Sequence, residues 1–103
     1  DIKDYLDENF SQKISLEELS KVFFIDKYYL TRRFRQQYGI TINTYLQNLR
    51  ITHAKHLLRF SNKTIEAIAS ECGIDDPNYF ARLFKKIEGI SPGEFRRGWM
   101  NGK

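Results

Sequence analysis

Apolar residues recur every three or four positions along most of this 103-residue chain, which is the spacing of amphipathic helices. No segment alternates between apolar and polar residues as a strand does, so the sequence predicts an all-α fold. Capping residues and glycines divide the pattern into seven predicted helices. These cover residues 2–9, a segment that begins at 15, and residues 26–38, 41–60, 64–71, 77–88 and 91–99.

Local signals mark several helix starts and inward faces. Ser15 is followed three residues later by Glu18, the spacing of a capping box, and Asp76 stands before Pro77 as a helix-start signal. Cys72 is predicted to be a small buried residue. The other predicted inward positions are Ile2, Tyr5, Leu6, Phe10, Leu16, Leu19, Val22, Leu30, Phe34, Ile42, Tyr45, Leu46, Leu49, Ala54, Leu57, Leu58, Ile65, Ile68, Ala69, Phe80, Leu83, Phe84 and Ile87.

The chain repeats itself at an offset of about 50 residues. Upstream of the second turn the offset is 49, and downstream it is 50, so one residue is inserted in the turn of the second copy. The matched pairs are Leu16 and Ile65, Glu17 and Glu66, Leu19 and Ile68, Ile25 and Ile74, Leu30 and Phe80, Arg32 and Arg82, Phe34 and Phe84, Gly39 and Gly89, Ile40 and Ile90, Thr41 and Ser91, and Tyr45 and Phe95.

Each copy is predicted to form a short helix, a tight connection and a longer helix, which is the form of a helix-turn-helix unit. The sequence therefore predicts a first subdomain at 1–40, a linker helix at 41–60 and a second subdomain at 61–103. In such units the second helix enters the DNA major groove. A linker of twenty residues would be about 30 Å long, close to the ~34 Å between successive major grooves.

Charge is unevenly distributed along the chain. The formal net charge is only +4, from 17 basic and 13 acidic residues. Residues 1–21 hold three basic and six acidic residues, whereas residues 22–103 hold fourteen and seven. The basic part contains both predicted recognition helices, at about 26–38 and 77–88, which favours a polyanionic partner.

The exposed faces of these two helices carry side chains suited to DNA. Arginine can bind guanine through two hydrogen bonds, asparagine can bind adenine in the same way, and apolar groups can contact the thymine methyl. The predicted base contacts are Tyr28, Thr31, Arg32, Arg35, Asn78, Ala81 and Arg82, and the predicted backbone contacts are Lys27, Lys85, Lys86 and Arg96. Asp76 is predicted to cap this helix. Together with its neighbour Asp75, it makes the start of the helix less basic than that of the first recognition helix.

Other chemistry finds little support in the sequence. His53 and His56 are three residues apart, but no ligand with zinc-site spacing lies nearby, so no metal site is predicted. No phosphate-binding glycine loop and no converging catalytic set occur, so we predict neither a cofactor nor an enzyme. The longest apolar runs are too short to cross a membrane. One cysteine, no leader and no initiator Met lead us to expect a cytoplasmic location and a longer parent protein.

The combined motifs resemble the DNA-binding domain of the AraC/XylS family of bacterial transcription regulators. The resemblance extends over nearly the whole chain and implies seven helices, with two helix-turn-helix subdomains joined by the long linker helix. The most specific stretches are Ile65-Glu66-Ala67-Ile68-Ala69, Cys72-Gly73-Ile74-Asp75-Asp76, Tyr79-Phe80-Ala81-Arg82-Leu83-Phe84-Lys85-Lys86, Gly89-Ile90-Ser91-Pro92 and Phe95-Arg96.

The resemblance also implies which positions contact bases. Counted from the cap of each recognition helix, they are Tyr28, Thr31 and Arg32 in the first unit, and Pro77, Asn78, Ala81 and Arg82 in the second. Two of the latter side chains lack hydrogen-bonding groups, so fewer base contacts are expected there. The chain departs from the family at Phe23-Phe24, where a small residue and glycine are usual, and at the cap Asp26, where serine is usual.

These observations predict sequence-specific binding of double-stranded promoter or operator DNA by a bacterial transcription activator, with both recognition helices in successive major grooves. RNA polymerase is a further expected partner, as is an N-terminal effector or dimerisation domain of the parent protein. The alternative is a helical protein-interaction module that docks RNA polymerase or a sensor domain through Phe23, Phe24 and Tyr28. A steep salt dependence of DNA binding distinguishes the first function from the second.

Overall fold

The computed structural model describes residues 1–101, and it confirms the all-α fold for this part of the chain. Residues 102 and 103, the end of the predicted second subdomain, lie outside the described residues. The seven helices are α1 (Ile2–Asn9), α2 (Leu16–Phe23), α3 (Lys27–Tyr38), α4 (Ile42–Phe60), α5 (Ile65–Glu71), α6 (Pro77–Glu88) and α7 (Pro92–Asn101).

The helix starts follow the predicted capping residues. The Ser15 hydroxyl accepts a hydrogen bond from the Glu18 amide at 3.1 Å. At the start of α7 the bonds are reciprocal, because the Ser91 hydroxyl accepts from the Glu94 amide and the Glu94 carboxylate accepts from the Ser91 amide. This backbone bond lowers the pKa of Glu94. Each pair satisfies amide groups that the first turn of a helix cannot pair internally.

The chain divides inside α4 into two compact units, Asp1–Leu49 and Arg50–Lys103. The first unit buries one side of each of its helices around Phe34, whose ring lies 4.6 Å from the ring of Tyr38 and 5.6 Å from that of Tyr45. The Tyr45 hydroxyl donates to the Asp7 carboxylate. The buried core of this unit is Leu6, Leu19, Leu30, Phe34, Ile42 and Leu46.

The second unit has its own core, built around Phe84. Its ring lies 6.0 Å from that of Phe80 and 5.6 Å from that of Phe95. Cys72 is fully buried in this core, as predicted, and burial raises the pKa of its thiol to about 12. The buried residues are Ile51, Ala54, Leu58, Ile68, Ala69, Cys72, Ile74, Phe80, Leu83 and Phe84.

Three residues predicted to face inward are exposed instead. Leu16, Val22 and Ile87 leave 37%, 44% and 38% of their surface accessible. All three lie in the first or last turn of their helices, where the helix has a neighbouring turn on one side only. Conversely, Ile51 is buried but absent from the predicted stripe. It lies three residues before Ala54 and seven before Leu58, so it shares their face of α4 and packs in the same core.

The two helix-turn-helix connections share one hydrogen bond but differ in the left-handed residue. The Ile25 amide donates to the Ser20 carbonyl, and the Ile74 amide donates to the Ala69 carbonyl. The residue before each isoleucine has a positive φ, 56° at Phe24 and 92° at Gly73. Phe24 is also 94% exposed, so its side chain gains almost nothing from packing.

The C-terminal end of α4 is held by an arginine from α7. The Arg96 guanidinium donates to three backbone carbonyls, those of Leu58 at 3.1 Å, Ser61 at 3.2 Å and Lys63 at 2.8 Å. The last carbonyls of a helix have no partner within the helix, and no glycine follows α4 to provide a left-handed cap. Arg96 supplies these donors from 33 to 38 residues away in sequence.

Replacing Phe24 with glycine should stabilise the protein. The left-handed conformation costs a non-glycine residue about 1–2 kcal/mol, and the added flexibility of glycine in the unfolded chain offsets about half of the gain. We expect Phe24→Gly to raise the free energy of unfolding by about 0.5–1 kcal/mol in urea denaturation. The control, Gly73→Ala, should lower it. A decrease for Phe24→Gly would mean that the exposed ring makes a stabilising contact.

Removing the Arg96 guanidinium should destabilise the second unit. The three carbonyls would lose a charged donor, and such hydrogen bonds contribute about 1.5–3 kcal/mol. We therefore expect Arg96→Ala to lower the free energy of unfolding by that amount, and Arg96→Lys to recover only part of it. The control is Arg97→Ala, since Arg97 is exposed. Equal losses for Arg96→Ala and Arg97→Ala in urea denaturation would contradict the assigned role.

Candidate nucleic-acid interface

Helix α3 is fixed at its start by Asp26 and along its inner side by the core. The Asp26 carboxylate accepts hydrogen bonds from the amides of Tyr28 and Tyr29, at 3.0 and 3.2 Å. Leu30 and Phe34 are buried. Because side chains on a helix follow its 3.6-residue period, this burial determines which residues of α3 remain outside.

The outer face of α3 carries the predicted base contacts of the first unit. Tyr28 is 65% exposed, and Arg32 and Arg35 are exposed as well. Neither arginine forms a hydrogen bond or an ion pair within the part of the chain that the structure describes. Thr31 is half-buried, and its hydroxyl donates to the Lys27 carbonyl at 2.9 Å. It therefore offers its methyl group and an acceptor oxygen, but not a free hydroxyl proton.

Lys27, a predicted backbone contact, already has an anionic partner. Its ammonium group lies 3.1 Å from the Glu17 carboxylate, and this hydrogen bond is the main reason that the pKa of Lys27 is raised. The pKa of Glu17 is lowered, first by a backbone hydrogen bond and then by Lys27. The ammonium nitrogen also lies 5.3 Å from the Tyr28 ring centroid. A DNA phosphate would therefore compete with Glu17 for Lys27.

Helix α6 is built in the same way. The Asp76 carboxylate accepts hydrogen bonds from the amides of Asn78 and Tyr79, at 2.9 and 3.4 Å, and Pro77 occupies the first turn. Phe80, Leu83 and Phe84 face the core. The remaining predicted contacts lie on the other side: Ala81 is half-buried, and Asn78, Arg82, Lys85 and Lys86 are exposed.

Sequence reasoning missed two features of this surface. The Glu17–Lys27 pair joins residues ten positions apart, and a charge count along the chain does not reveal it. The internal bonds of Arg96 were also unexpected, although the missing glycine after α4 was a usable signal. The phosphate contact assigned to Arg96 stays a prediction, since the residue is half-buried and its guanidinium is already bonded to three carbonyls.

Neither histidine of α4 belongs to a metal-binding group. Among the described residues, no three His, Cys, Asp or Glu side chains converge in a way that could hold a metal ion. The His56 ring instead packs 4.9 Å from the Phe60 ring. The described helices also include none with the length and apolar content needed to cross a membrane.

Comparison with known proteins links this architecture to transcription regulators. The family described as a helix-turn-helix domain matches residues 19–98. The transcriptional activator RhaS from Enterobacter sp. (strain 638) is 36% identical over 94 residues, covering 91% of this chain and 34% of RhaS. The chain thus spans about a third of the length of such regulators.

Two solved structures have the same fold. The C-terminal domain of AraT, a response regulator from Geobacillus stearothermophilus, matches with a TM-score of 0.89 and 33% identity, over 92% of this chain and 79% of that chain. The DNA-binding domain of AdpA, solved in complex with a target DNA, matches with a TM-score of 0.92 and 23% identity, over 97% of this chain and 90% of that chain. The first is a domain of a response regulator and the second a domain of a transcriptional factor. The chain therefore belongs to the AraC/XylS family of helix-turn-helix transcription regulators and has the fold of that family's DNA-binding domain.

Proposed function

We propose that this chain binds double-stranded DNA in a sequence-specific manner, with α3 and α6 in successive major grooves. The observation that carries the proposal is the pair Arg32 and Arg82. They occupy the same position of the repeated unit, both are exposed, and neither has a partner among the described residues. A guanidinium held outward on a recognition helix is suited to bidentate binding of guanine.

The first unit supplies the larger set of base contacts. Arg32 and Arg35 bind guanine or adjacent phosphates, and the Tyr28 ring packs on a thymine methyl. Thr31 contributes its methyl group, since its hydroxyl proton is held by the Lys27 carbonyl. Lys27 exchanges Glu17 for a phosphate when DNA binds, so its contribution is smaller than that of an unpaired lysine.

The second unit supplies fewer base contacts. Asn78 binds adenine through its amide, Arg82 binds guanine, and Ala81 contacts a thymine methyl. Lys85 and Lys86, both exposed near the end of α6, bind phosphates without reading sequence. Arg96 adds at most a secondary phosphate contact, because three backbone carbonyls already engage it.

In the whole protein, this domain directs a cytoplasmic transcription activator to promoter or operator DNA. This chain matches 34% of the activator RhaS, and the remainder of a parent protein of that kind has room for an effector or dimerisation domain. RNA polymerase is the partner that an activator must recruit. A second candidate function, docking of a protein partner, is favoured by one observation, the 94% exposure of Phe24 beside the recognition helix.

Selection of bound sequences from a random DNA library tests the proposal. We expect enrichment of a two-block motif whose block centres lie about 10–10.5 base pairs apart, one helical turn. Adding five base pairs between the blocks should then weaken binding, because the second block would face the other side of the duplex. A single block would remove α6 or α3 from the proposed interface, and no enrichment would favour the docking function.

The Arg32 side chain should carry a large part of the specificity. We expect Arg32→Ala to weaken binding of the selected site by about 5- to 150-fold, which is ~1–3 kcal/mol, and to relax one position of the motif. The matched control is Arg33→Ala, which removes the same charge from the neighbouring exposed position of α3. Fluorescence anisotropy at several salt concentrations measures both effects. If the two variants lost the same affinity for the selected site, Arg32 would contribute only its positive charge and not base recognition.

A further inference from the structure

The residue inserted in the second helix-turn-helix unit is Asp75. The turns match at Ile25 and Ile74, whose amides donate to the Ser20 and Ala69 carbonyls. The recognition helices match at their caps, since Asp26 and Asp76 each accept from the two amides that follow. No residue separates Ile25 from its cap, whereas Asp75 separates Ile74 from Asp76.

The contacts that form the turn and the helix cap are made by the neighbours of Asp75. Ile74 provides the turn hydrogen bond and a buried side chain, and Asp76 provides the cap. Asp75 is exposed, and its carboxylate forms no hydrogen bond or ion pair with any residue that the structure describes. At the start of a helix that faces DNA, this negative charge opposes phosphate and weakens binding to every sequence alike. No hydrogen bond or ion pair among the described residues offsets this cost, which points to a role in recognition.

We propose that Asp75 is a specificity-determining residue that accepts a hydrogen bond from the cytosine N4 amino group at the edge of the second half-site. This inference rests on the proposed DNA-binding function. An ionised carboxylate is only an acceptor. In the major groove, guanine and thymine present acceptors that repel it, and adenine and cytosine present amino donors. Cytosine is the base with which aspartate pairs most simply, since no acceptor stands beside its amino group.

The same carboxylate distinguishes the two units. The first unit has no residue at this position, and its recognition helix begins with a lysine after the cap. The second begins with a proline after the cap and carries the extra aspartate before it. Phosphate attraction is therefore weaker at the start of α6 than at the start of α3. A base that presents an acceptor is repelled by Asp75, whereas the first unit has no residue there to discriminate against it. Such a repulsive element raises discrimination while lowering overall affinity.

Selection from a random DNA library tests this role in the 103-residue chain and three variants. The wild-type chain should enrich cytosine at one position beside the second block, with about tenfold discrimination against guanine and thymine. Asp75→Asn should shift that position towards adenine, because an amide can pair with adenine through two hydrogen bonds. Asp75→Ala should lose the preference at that position alone and bind unrelated DNA more tightly. Glu8→Gln, which removes an exposed carboxylate of α1, is the charge-matched control and should leave the motif unchanged.

The outcomes separate this inference from the function on which it rests. If the wild-type chain selects no DNA, the proposed function fails and the role of Asp75 fails with it. If the wild-type motif appears and Asp75→Ala selects it with the same cytosine preference, only the role of Asp75 is overturned. Thermal unfolding provides the structural check. Asp75→Ala should have the same melting temperature as the wild-type chain, and a clearly lower one would show that Asp75 stabilises the fold instead.

Discussion

The surface that each proposed recognition helix presents depends on one buried phenylalanine, Phe34 in α3 and Phe84 in α6. Each ring packs against two other aromatic rings of its own unit, which fixes the rotation of the helix about its axis. Arg32 and Arg82 lie two residues earlier, about 200° around the helix at 3.6 residues per turn. Burying the ring therefore forces the arginine outward. Packing in the core therefore determines which side chains the surface presents for the proposed recognition.

Helix capping constrains the same surface from another direction. Asp26 and Asp76 stabilise α3 and α6 through amide hydrogen bonds and the helix dipole. Both carboxylates stand at the end of the helix that would approach a polyanion, where they oppose phosphate binding. In the proposed complex, the stability of the helix start and the affinity for DNA thus conflict, and the exposed arginines and lysines further along each helix must supply the attraction. In the proposed complex, this arrangement places the positive charge beside the bases rather than at the helix tip.

Features with local causes were predictable from the sequence, and features that join distant elements were not. Helix starts follow from neighbouring residues such as Ser15 and Glu18. The repeat was visible as similar residues separated by a constant number of positions. Burial at helix ends depends on what other elements cover, so Leu16 and Ile87 were assigned to the wrong side. The bonds of Arg96 span more than thirty residues, and no local pattern encodes which carbonyls it reaches. The roles of the recognition residues remain predictions, since base contacts depend on the DNA.

Comparison of the two units separates residues required for folding from residues available for recognition. Most identities or near-identities between them are buried, cap a helix or end one, as with Phe34 and Phe84 or Gly39 and Gly89. Burial or capping accounts for these pairs. Many exposed positions differ, as where one unit has Lys27 and the other Pro77. Arg32 and Arg82 fit neither group, because they are identical, exposed and unpaired among the described residues. Since packing does not require them, their repetition is best explained by a ligand that presents the same kind of surface twice, and successive major grooves of one duplex do so.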